Sequence, residues 1–343
     1  MRKLLNTLYI TSEDAYLSLE RETVVVEKDG KKLGQFPLIN IESIVSFSYY
    51  GASPALMGKC AKNNIGLAFY SPYGRFLCRV NNSDNGNVLL RRTQYRLCDD
   101  EKFSLNAARN FILGKVYNAR WLIDRTIRDH GLRIDVAKLE KVKSYLDKNM
   151  TSIREANNMD SLRGIEGASA SEYFAVYGDL ILNQRDDFSF TVRNRRPPLD
   201  KVNAMLSFGY SLLTNECASA LQGVGLDPYV GFMHTDRPGR KSLALDMIEE
   251  LRPVLVDRFV LTLINNRQIT GKDFVETSSG AIEFTEDGRK NYLAEWQKHK
   301  LGNIRHPYLK EQIPWGLLSH VQSLLFARYI RGDIDGYPPF LWR

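Results

Sequence analysis

A chain of 343 residues is long enough for one or two domains, and 43% hydrophobic with 25% charged residues is the composition of a globular protein with a sizeable core. A net charge of +7 and a pI near 9.1 suit a polyanionic partner without requiring one. The four cysteines form no CxxC pair and no apolar stretch is long enough to cross a bilayer, which excludes a zinc knuckle, a redox pair and a membrane protein and predicts a cytoplasmic chain.

Residues 1–86 are predicted to form a β-rich domain. Short runs of β-forming residues recur at 8–10, 16–19, 23–27, 39–49, 67–70 and 76–80. Asp29-Gly30 is typical of a two-residue hairpin turn, and the segment 71–74 is typical of a type I turn. One helix is expected over 54–62. The absence of a catalytic cluster from this stretch of sequence favours a scaffold or a dimerisation platform.

The polar segment 81–87 marks a boundary, because it has no apolar anchor and is rich in turn-forming residues. After it the apolar period changes from two to about 3.6. A long helical stripe runs from Leu105 to Ile127, and a further helix is expected over 138–148. We therefore predict the fold class α+β, with an N-terminal β-rich domain followed by a mostly α-helical C-terminal domain over 87–343.

Several charged residues lie mostly off the apolar stripe of this long helix. Such residues form either a solvated face or a contact with nucleic acid, and the sequence leaves both open. They are Lys115, Arg120, Arg125 and Arg128.

Glu166 lies near the start of an apolar helix predicted over 162–182. Gly164 and Gly167 flank it and further small residues follow, which would allow another backbone to approach closely. A carboxylate at such a packed point is unfavourable unless it is ion-paired or bound to a metal. The local sequence alone favours a surface glutamate between two glycines.

The basic loop 193–198 contains Arg193, Arg195 and Arg196 and ends in two prolines, so it is not helical. Asp200 is predicted to cap a helix that reaches residue 221. The glycines that follow this helix do not form a dinucleotide loop, because a helix rather than a strand precedes them.

The strongest candidate for a functional site begins at His234, which lies in a loop of polar, basic and turn-forming residues. Ser242 is predicted to cap an amphipathic helix that carries Asp246 and Glu249, three residues apart and therefore on one face. Pro253 cannot donate a backbone hydrogen bond, so the helix should kink or end there.

An imidazole near carboxylates, with Arg237, Arg240 and Lys241 beside it, suits a divalent metal acting on a phosphate. Mg²⁺ and Mn²⁺ prefer oxygen ligands, and Mn²⁺ also accepts nitrogen. The sequence has no GxxxxGK[ST], HExxH or GxSxG pattern. A polar loop without metal stays open at this point, and the local pattern does not connect Glu166 with His234.

The rest of the chain predicts helices over 259–265, 289–298 and 317–330, and a small hairpin near 281–288. The tail GYPPFLWR is apolar and is expected to pack against the domain or a partner.

Three motifs, LRGIEGASASEYF, RNRRPPLDKVNAMLSFGYSLL and GFMHTDRPGRKSLALDMIEELRP, resemble the CRISPR-associated spacer-acquisition integrases, the first-numbered Cas proteins. The likeness covers essentially the whole chain, and the opening MRKLLNTLYITSEDAYL with the tail resembles the subtype I-C form. It implies an N-terminal β domain that pairs into a homodimer. It further implies double-stranded DNA as substrate and a complex with the second-numbered CRISPR-associated protein.

By this resemblance Glu166, His234 and Glu249 are the metal ligands, for Mg²⁺ or Mn²⁺. Asp246 matches an acidic neighbour that supports catalysis and is a candidate for direct metal contact. Many relatives have Asp in place of Glu249. Arg163 matches a basic residue one turn before the glutamate, and it would contact DNA together with Arg237, Arg240, Lys241, Arg195 and Arg196.

The implied reaction is a transesterification in which the 3′-hydroxyl of a DNA fragment attacks a phosphodiester at the end of the CRISPR repeat. Two alternatives stay open. One is a stand-alone nuclease for branched DNA that uses the same residues. The other is a non-catalytic DNA-binding scaffold, against which the presence of all three ligand types argues.

Overall fold

The computed structural model describes residues 6–63, 65–71, 76–80 and 87–342. The chain divides into two compact units, which are described separately below. The first contains residues 1–86 and 284–302, and the second contains residues 87–283 and 303–343. The turn predicted at 71–74 lies mostly outside the described residues, and so does most of the boundary segment 81–87.

The first unit contains two sheets. Four strands form one sheet in the order β1-β5-β6-β7, with β1 and β6 parallel to β5 and β7 antiparallel to β6. Three strands form the antiparallel sheet β2-β3-β4. The strands are β1 (Thr7–Ile10), β2 (Tyr16–Glu20), β3 (Thr23–Lys28), β4 (Lys31–Pro37), β5 (Ser43–Ser46), β6 (Gly66–Tyr70) and β7 (Phe76–Val80).

The hairpin between β3 and β4 turns at the predicted dipeptide. Asp29 has φ of 51° and Gly30 has φ of 72°, and two successive positive φ angles are what a type I′ turn requires. The apolar faces of the strands enclose a core that includes Leu17, Val24 and Ile44. The predicted β-forming runs did not include β4, whose residues are mostly exposed.

Two helices belong to this unit. Helix α1 (Pro54–Lys62) has the predicted bounds, and Ser53 caps it by accepting from the Leu56 amide. The helix Glu286–Leu301, α9 in chain order, was predicted in the second domain, and the structure corrects this. Arg289 explains the difference: its guanidinium lies 5.4 Å from the Phe47 ring centroid, and Nη2 lies 3.6 Å from Glu13 Oε1.

The second unit is mostly helical, so the predicted fold class α+β is confirmed. Its helices are α2 (Val88–Cys98), α3 (Glu101–His130), α4 (Val136–Glu155), α5 (Met159–Tyr177), α6 (Lys201–Gly223), α7 (Ser242–Leu251), α8 (Arg258–Asn265) and α10 (Leu318–Arg331). Two short hairpins join β8 (Phe274–Glu276) to β9 (Ile282–Phe284) and β10 (Asn303–Arg305) to β11 (Gln312–Pro314). None of the helices in the described part of the chain is both long and apolar enough to cross a membrane.

Pro253 does not end the helix that contains it. A π-helical segment, Arg252–Asp257, joins α7 directly to α8. A π-turn widens the helix by one residue, which accommodates the missing proline donor without breaking the chain direction. The helix therefore continues from Glu249 in α7 through the π-helical turn to Asp257.

The C-terminal tail packs within the helical unit. Tyr337, Phe340 and Trp342 are buried, and the Phe340 amide donates to Glu250 Oε2 at 2.7 Å. Asn118 in α3 accepts from the Trp342 amide at 2.9 Å. The tail thus holds α3 and α7 against each other.

Candidate metal centre

Asp246 organises the loop that carries His234. Its Oδ2 accepts from the Phe232 amide at 2.7 Å and the Met233 amide at 3.0 Å. Its Oδ1 accepts from the His234 amide at 2.9 Å and lies 2.6 Å from His234 Nδ1. The carboxylate is fully buried, so four contacts of this kind are needed to offset its lost hydration.

The His234 imidazole is left with one available nitrogen. Since Nδ1 faces a carboxylate, the hydrogen-bond network assigns the proton to Nδ1 and the lone pair to Nε2. Among the described residues, Nε2 has no hydrogen-bond partner. The imidazole is 17% exposed, so a ligand can reach it.

The loop before α7 is tightly packed at Gly231. A Cβ at that position would meet Ser242 Cβ at 2.7 Å and the His234 carbonyl oxygen at 2.9 Å. The predicted Ser242 cap is wrong: Ser242 is the first helical residue, and its hydroxyl donates to the Thr235 carbonyl at 3.2 Å. The serine therefore holds the His234 loop rather than the helix end.

Glu249 is buried in α7 beside two cations. Arg252 Nη1 lies 2.7 Å from its Oε1, and Lys115 Nζ lies 2.7 Å from its Oε2. Burial alone would raise the Glu249 pKa, but Arg252, Lys115 and, more weakly, His234 lower it to about 2. The carboxylate is therefore ionised at neutral pH.

Glu166 projects from α5 to the same lysine. Its Oε1 accepts from Lys115 Nζ, so Glu166 and Glu249 contact one ammonium from two different helices. Arg163, one turn earlier in α5, donates from Nη2 to the Met233 carbonyl at 2.7 Å and so joins α5 to the His234 loop. The structure therefore brings Glu166 and Glu249 to one ammonium, and it joins the His234 loop to the helix that carries Glu166.

Within the part of the chain that it describes, the structure shows no close packing at the glycines beside Glu166. A Cβ at Gly164 or Gly167 would meet no atom within 4 Å among the described residues, so the α5 surface there is open rather than pressed against another backbone. Glu166 is half-buried, and it forms an ion pair with Lys115, a residue of α3. The part of the prediction that holds is the need of this carboxylate for a cation.

Sequence reasoning missed Lys115 and Arg252. Lys115 was interpreted as a solvated or DNA-contacting residue, yet its side chain is only 13% exposed. Burial would lower its pKa, but the charges of Glu249 and Glu166 raise the pKa above the usual value. The signal lay in the spacing, because Lys115 is four residues from Phe111 and from Ala119, which are both buried.

Whether these side chains fit a divalent ion can be judged from the atoms left without partners. Glu249 Oε2 is buried and has no hydrogen-bonded partner among the described residues, only the ion pair with Lys115. Two carboxylates and the Nε2 of an oriented imidazole are donors that suit Mn²⁺ or Mg²⁺. Within the described ranges no group of three or more His, Cys, Asp or Glu side chains is spaced to hold a metal ion. The chemistry of the donors fits such an ion, and in this structure the Lys115 ammonium contacts both carboxylates.

The predicted DNA-contacting residues divide by exposure. Arg163, Arg195, Arg196 and Arg237 are exposed and Arg240 is half-buried. Lys241 is buried, and its ammonium donates to Asn215 Oδ1 inside the helical unit. The structure therefore removes Lys241 from the accessible basic surface.

A further buried carboxylate lies beyond Arg252. Asp257 accepts from the Tyr173 hydroxyl at 3.0 Å and from the Tyr210 hydroxyl. Arg193 and Arg252 lie 5.4 Å and 5.0 Å from the Tyr210 ring centroid, so two guanidinium groups pack against one ring. Burial raises the Asp257 pKa to about 6 despite these donors and charges.

Comparison with known sequences decides the family. The profile described as CRISPR associated protein Cas1 matches residues 8–298. The chain belongs to the Cas1 family. The CRISPR-associated endonuclease Cas1 2 of Rhodospirillum rubrum is 47% identical over 347 aligned residues, and Cas1 1 of Chlorobaculum tepidum is 45% identical over 343, each alignment covering 100% of both chains.

Solved structures agree with the Cas1 fold. A casposase bound to integration product superposes with a TM-score of 0.85 at 20% identity, covering 98% of this chain and 94% of that one. A Cas1 protein from Thermotoga maritima gives 0.80 at 22% identity, covering 95% and 97%. A Cas6-RT-Cas1–Cas2 complex gives 0.81 at 21% identity, covering 100% of this chain and 36% of that one.

Family membership confirms the predicted function class. The chain is a Cas1 endonuclease and integrase involved in spacer acquisition, and hence an enzyme that acts on DNA. Nucleases of the Cas1 family are metal-dependent. That property agrees with the donor set around Lys115.

Proposed function

We propose that this Cas1 enzyme holds one divalent ion, Mg²⁺ or Mn²⁺, with Glu166, Glu249 and His234, and joins a DNA 3′-hydroxyl to a phosphodiester at the end of a CRISPR repeat. The observation that carries the proposal is the meeting of Glu166 and Glu249 on one ammonium, beside an imidazole whose Nδ1 is held by Asp246. The carboxylates already share a cation, so the site is built for positive charge.

The protein's contribution to this reaction is positional. When bound, the ion would act as a Lewis acid on the phosphoryl group under attack. Asp246 fixes the His234 tautomer so that Nε2 presents its lone pair, and such a carboxylate–histidine pair orients metal ligands in many proteins. Both Asp246 oxygens are taken by the 232–234 segment, so we assign Asp246 a positioning role without direct metal contact.

Basic side chains around the site would hold the DNA phosphates. Arg237 lies exposed in the His234 loop, and Arg163 lies on the face of α5 that carries Glu166. Arg240, Arg195 and Arg196 extend this set, whereas we leave out the buried Lys241. Positioning and charge neutralisation are the main requirements of phosphoryl transfer.

We infer a homodimer formed through the first unit. Its described surface exposes several large apolar side chains, which is unusual unless another surface covers them. They are Leu33, Ile39, Tyr49 and Tyr50.

The remaining assignments rest on family likeness. We assign Cas2 and double-stranded DNA as partners, since a structural neighbour is a Cas6-RT-Cas1–Cas2 complex. The opening and the tail of the sequence support subtype I-C, and we place the enzyme in the cytoplasm.

An integration assay tests the proposed function. A supercoiled plasmid with the repeat is incubated with a short DNA duplex, Cas2 and either wild type, His234→Ala or His130→Ala, where His130 is an exposed histidine at the end of α3. We expect wild type and His130→Ala to join strands with Mn²⁺, and His234→Ala or added EDTA to abolish joining. Joining at the wild-type rate by His234→Ala would overturn the ligand assignment, and cleavage of branched DNA without joining would favour the nuclease alternative.

A further inference from the structure

Lys115 is held between two helices that each bring a carboxylate to it. Its ammonium contacts Glu166 from α5 and Glu249 from α7. The preceding residue, Gly114, lets α3 approach α7 so closely that a Cβ there would meet Glu250 Cβ at 2.7 Å. The lysine is therefore placed at the carboxylates by backbone packing rather than by a flexible surface contact.

The charges around this lysine already balance. Two carboxylates, Glu166 and Glu249, face two cations, Lys115 and Arg252. A divalent ion added to this group would leave a surplus of positive charge at short range. Movement of one resident cation away from the carboxylates would reduce that surplus.

The contacts identify which cation moves. Arg252 binds Glu249 Oε1 and packs on the Tyr210 ring, so two separate interactions hold it. Lys115 faces Glu249 Oε2, the buried oxygen without a hydrogen bond among the described residues. The lysine contacts both proposed ligand carboxylates, whereas Arg252 contacts only Glu249 of the two, so the lysine occupies the oxygens that an ion would need.

We propose that the Lys115 ammonium is a resident cation that competes with the divalent ion for the carboxylate oxygens of Glu166 and Glu249. It stabilises the metal-free enzyme and leaves those oxygens when the ion binds. This inference rests on the proposed function, because it takes the same carboxylates as metal ligands.

The fold provides a place for the displaced ammonium. Lys115 lines a cavity of about 420 Å³ that continues past Ser169 and Thr191 to Arg193 and Arg195. A lysine side chain can therefore turn from the carboxylates into this cavity without moving its helix.

Mn²⁺ binding to metal-free protein tests the competition. Wild type, Lys115→Met and Lys143→Met are treated with EDTA, exchanged into buffer and titrated with MnCl₂ by calorimetry. Lys143 is a matched control, since its ammonium also lies between two carboxylates, 2.8 Å from Asp124 and 2.9 Å from Glu140. We expect Lys115→Met to bind Mn²⁺ at least tenfold more tightly than wild type, and Lys143→Met to bind as wild type does.

Thermal unfolding supplies a second readout that does not depend on activity. In EDTA the Tm of Lys115→Met should fall below that of wild type, because the buried Glu249 and the half-buried Glu166 then have one cation fewer between them. MnCl₂ should raise the Tm of this variant more than that of wild type. A Mn²⁺ affinity for Lys115→Met that equals or falls below the wild-type affinity would overturn the proposal.

A conservative variant covers the case in which Lys115→Met does not fold. Lys115→Arg keeps the charge and places a forked donor between the carboxylates, so it should weaken Mn²⁺ binding at least tenfold, and unchanged affinity would overturn the proposal. Titration of His234→Ala with MnCl₂ distinguishes a failure of the proposed metal site from a failure of the proposed competition by Lys115. If wild-type binding does not depend on His234, the metal site and the competition both fail; if it does and the Lys115 variants bind as wild type, only the competition fails.

Discussion

His234 Nδ1 lies 2.6 Å from Asp246 Oδ1, and the same carboxylate accepts the amide hydrogens of three consecutive residues that end at His234. One buried side chain thus fixes both the backbone and the ring of a candidate ligand. The arrangement therefore sets the position of the His234 loop and the orientation of its ring together.

Asp246→Asn should therefore act through His234. The amide cannot accept from all four donors and no longer stabilises a protonated Nδ1, so we expect Mn²⁺ affinity to fall by about 10–100-fold. Calorimetric titration measures this. Asp236→Asn is the control, because Asp236 is exposed and accepts from the Gly231 amide at 3.2 Å. Equal Mn²⁺ affinity in the two variants would contradict the positioning role.

Arg237 and Arg240 are expected to bind phosphates rather than to shape the site. Replacing both with Ala should weaken DNA binding at moderate salt and reduce the slope of log affinity against log salt by about 2, since each phosphate contact contributes about 0.9. Fluorescence anisotropy over a salt series measures the slope. His234→Ala should keep the wild-type slope, and an unchanged slope in the double variant would remove both arginines from the DNA surface.

Gly114 makes the approach of α3 to α7 possible. Gly114→Ala should lower the free energy of unfolding by about 1–3 kcal/mol, because the new methyl group would overlap Glu250 and Pro339. Gly164→Ala should instead raise it by roughly 0.5–1 kcal/mol, since that helical position faces open space. Urea unfolding of both variants checks the contrast, and equal stability would show that α3 and α7 are not in close contact.

The buried carboxyl of Asp257 predicts a pH dependence of stability. Its pKa is raised from 3.8 to about 6, so the folded protein holds a proton that the unfolded chain releases. Stability from this group is fully present below about pH 4 and is lost as pH rises through about 6, by about 3 kcal/mol.

Asp257→Asn should remove this dependence, because an amide does not titrate and still bonds to Tyr173 and Tyr210. Denaturant unfolding of both proteins between pH 4 and pH 7 measures the difference. The free energy of unfolding of wild type minus that of the variant should fall as pH rises. A constant difference would show that Asp257 titrates normally in the folded state.

Local sequence signals predicted much of the fold. The Asp29-Gly30 turn, the helix Pro54–Lys62 and the Asp200 cap on α6 depend on neighbouring residues only, and all are confirmed. Pro253 was a local signal whose consequence depends on packing. Its neighbours in α7 and α8 are buried, so a π-helical turn costs less than breaking the helix.

The sequence predicted the acidic residues and the histidine of the candidate site, but not the lysine and the arginine that pair with the acidic residues. Glu166, His234 and Glu249 were identified by family likeness, whereas Lys115 and Arg252 act only once α3, α5 and α7 are packed together. The sequence suggested Gly164 and Gly167 as places where another backbone could approach, whereas the close contact in the structure is at Gly114. Gly164 and Gly114 look alike in sequence, and only tertiary packing distinguishes an open helix surface from a helix crossing.

The central claim is that Glu166, Glu249 and His234 bind one divalent ion. Crystals of the full chain grown with MnCl₂ and measured at the manganese absorption edge test it directly. The account predicts one strong anomalous peak in contact with Glu166, Glu249 and His234 Nε2, and the Lys115 ammonium moved away from both carboxylates. A crystal with Mn²⁺ bound elsewhere, and with Lys115 still joining Glu166 to Glu249, would contradict it.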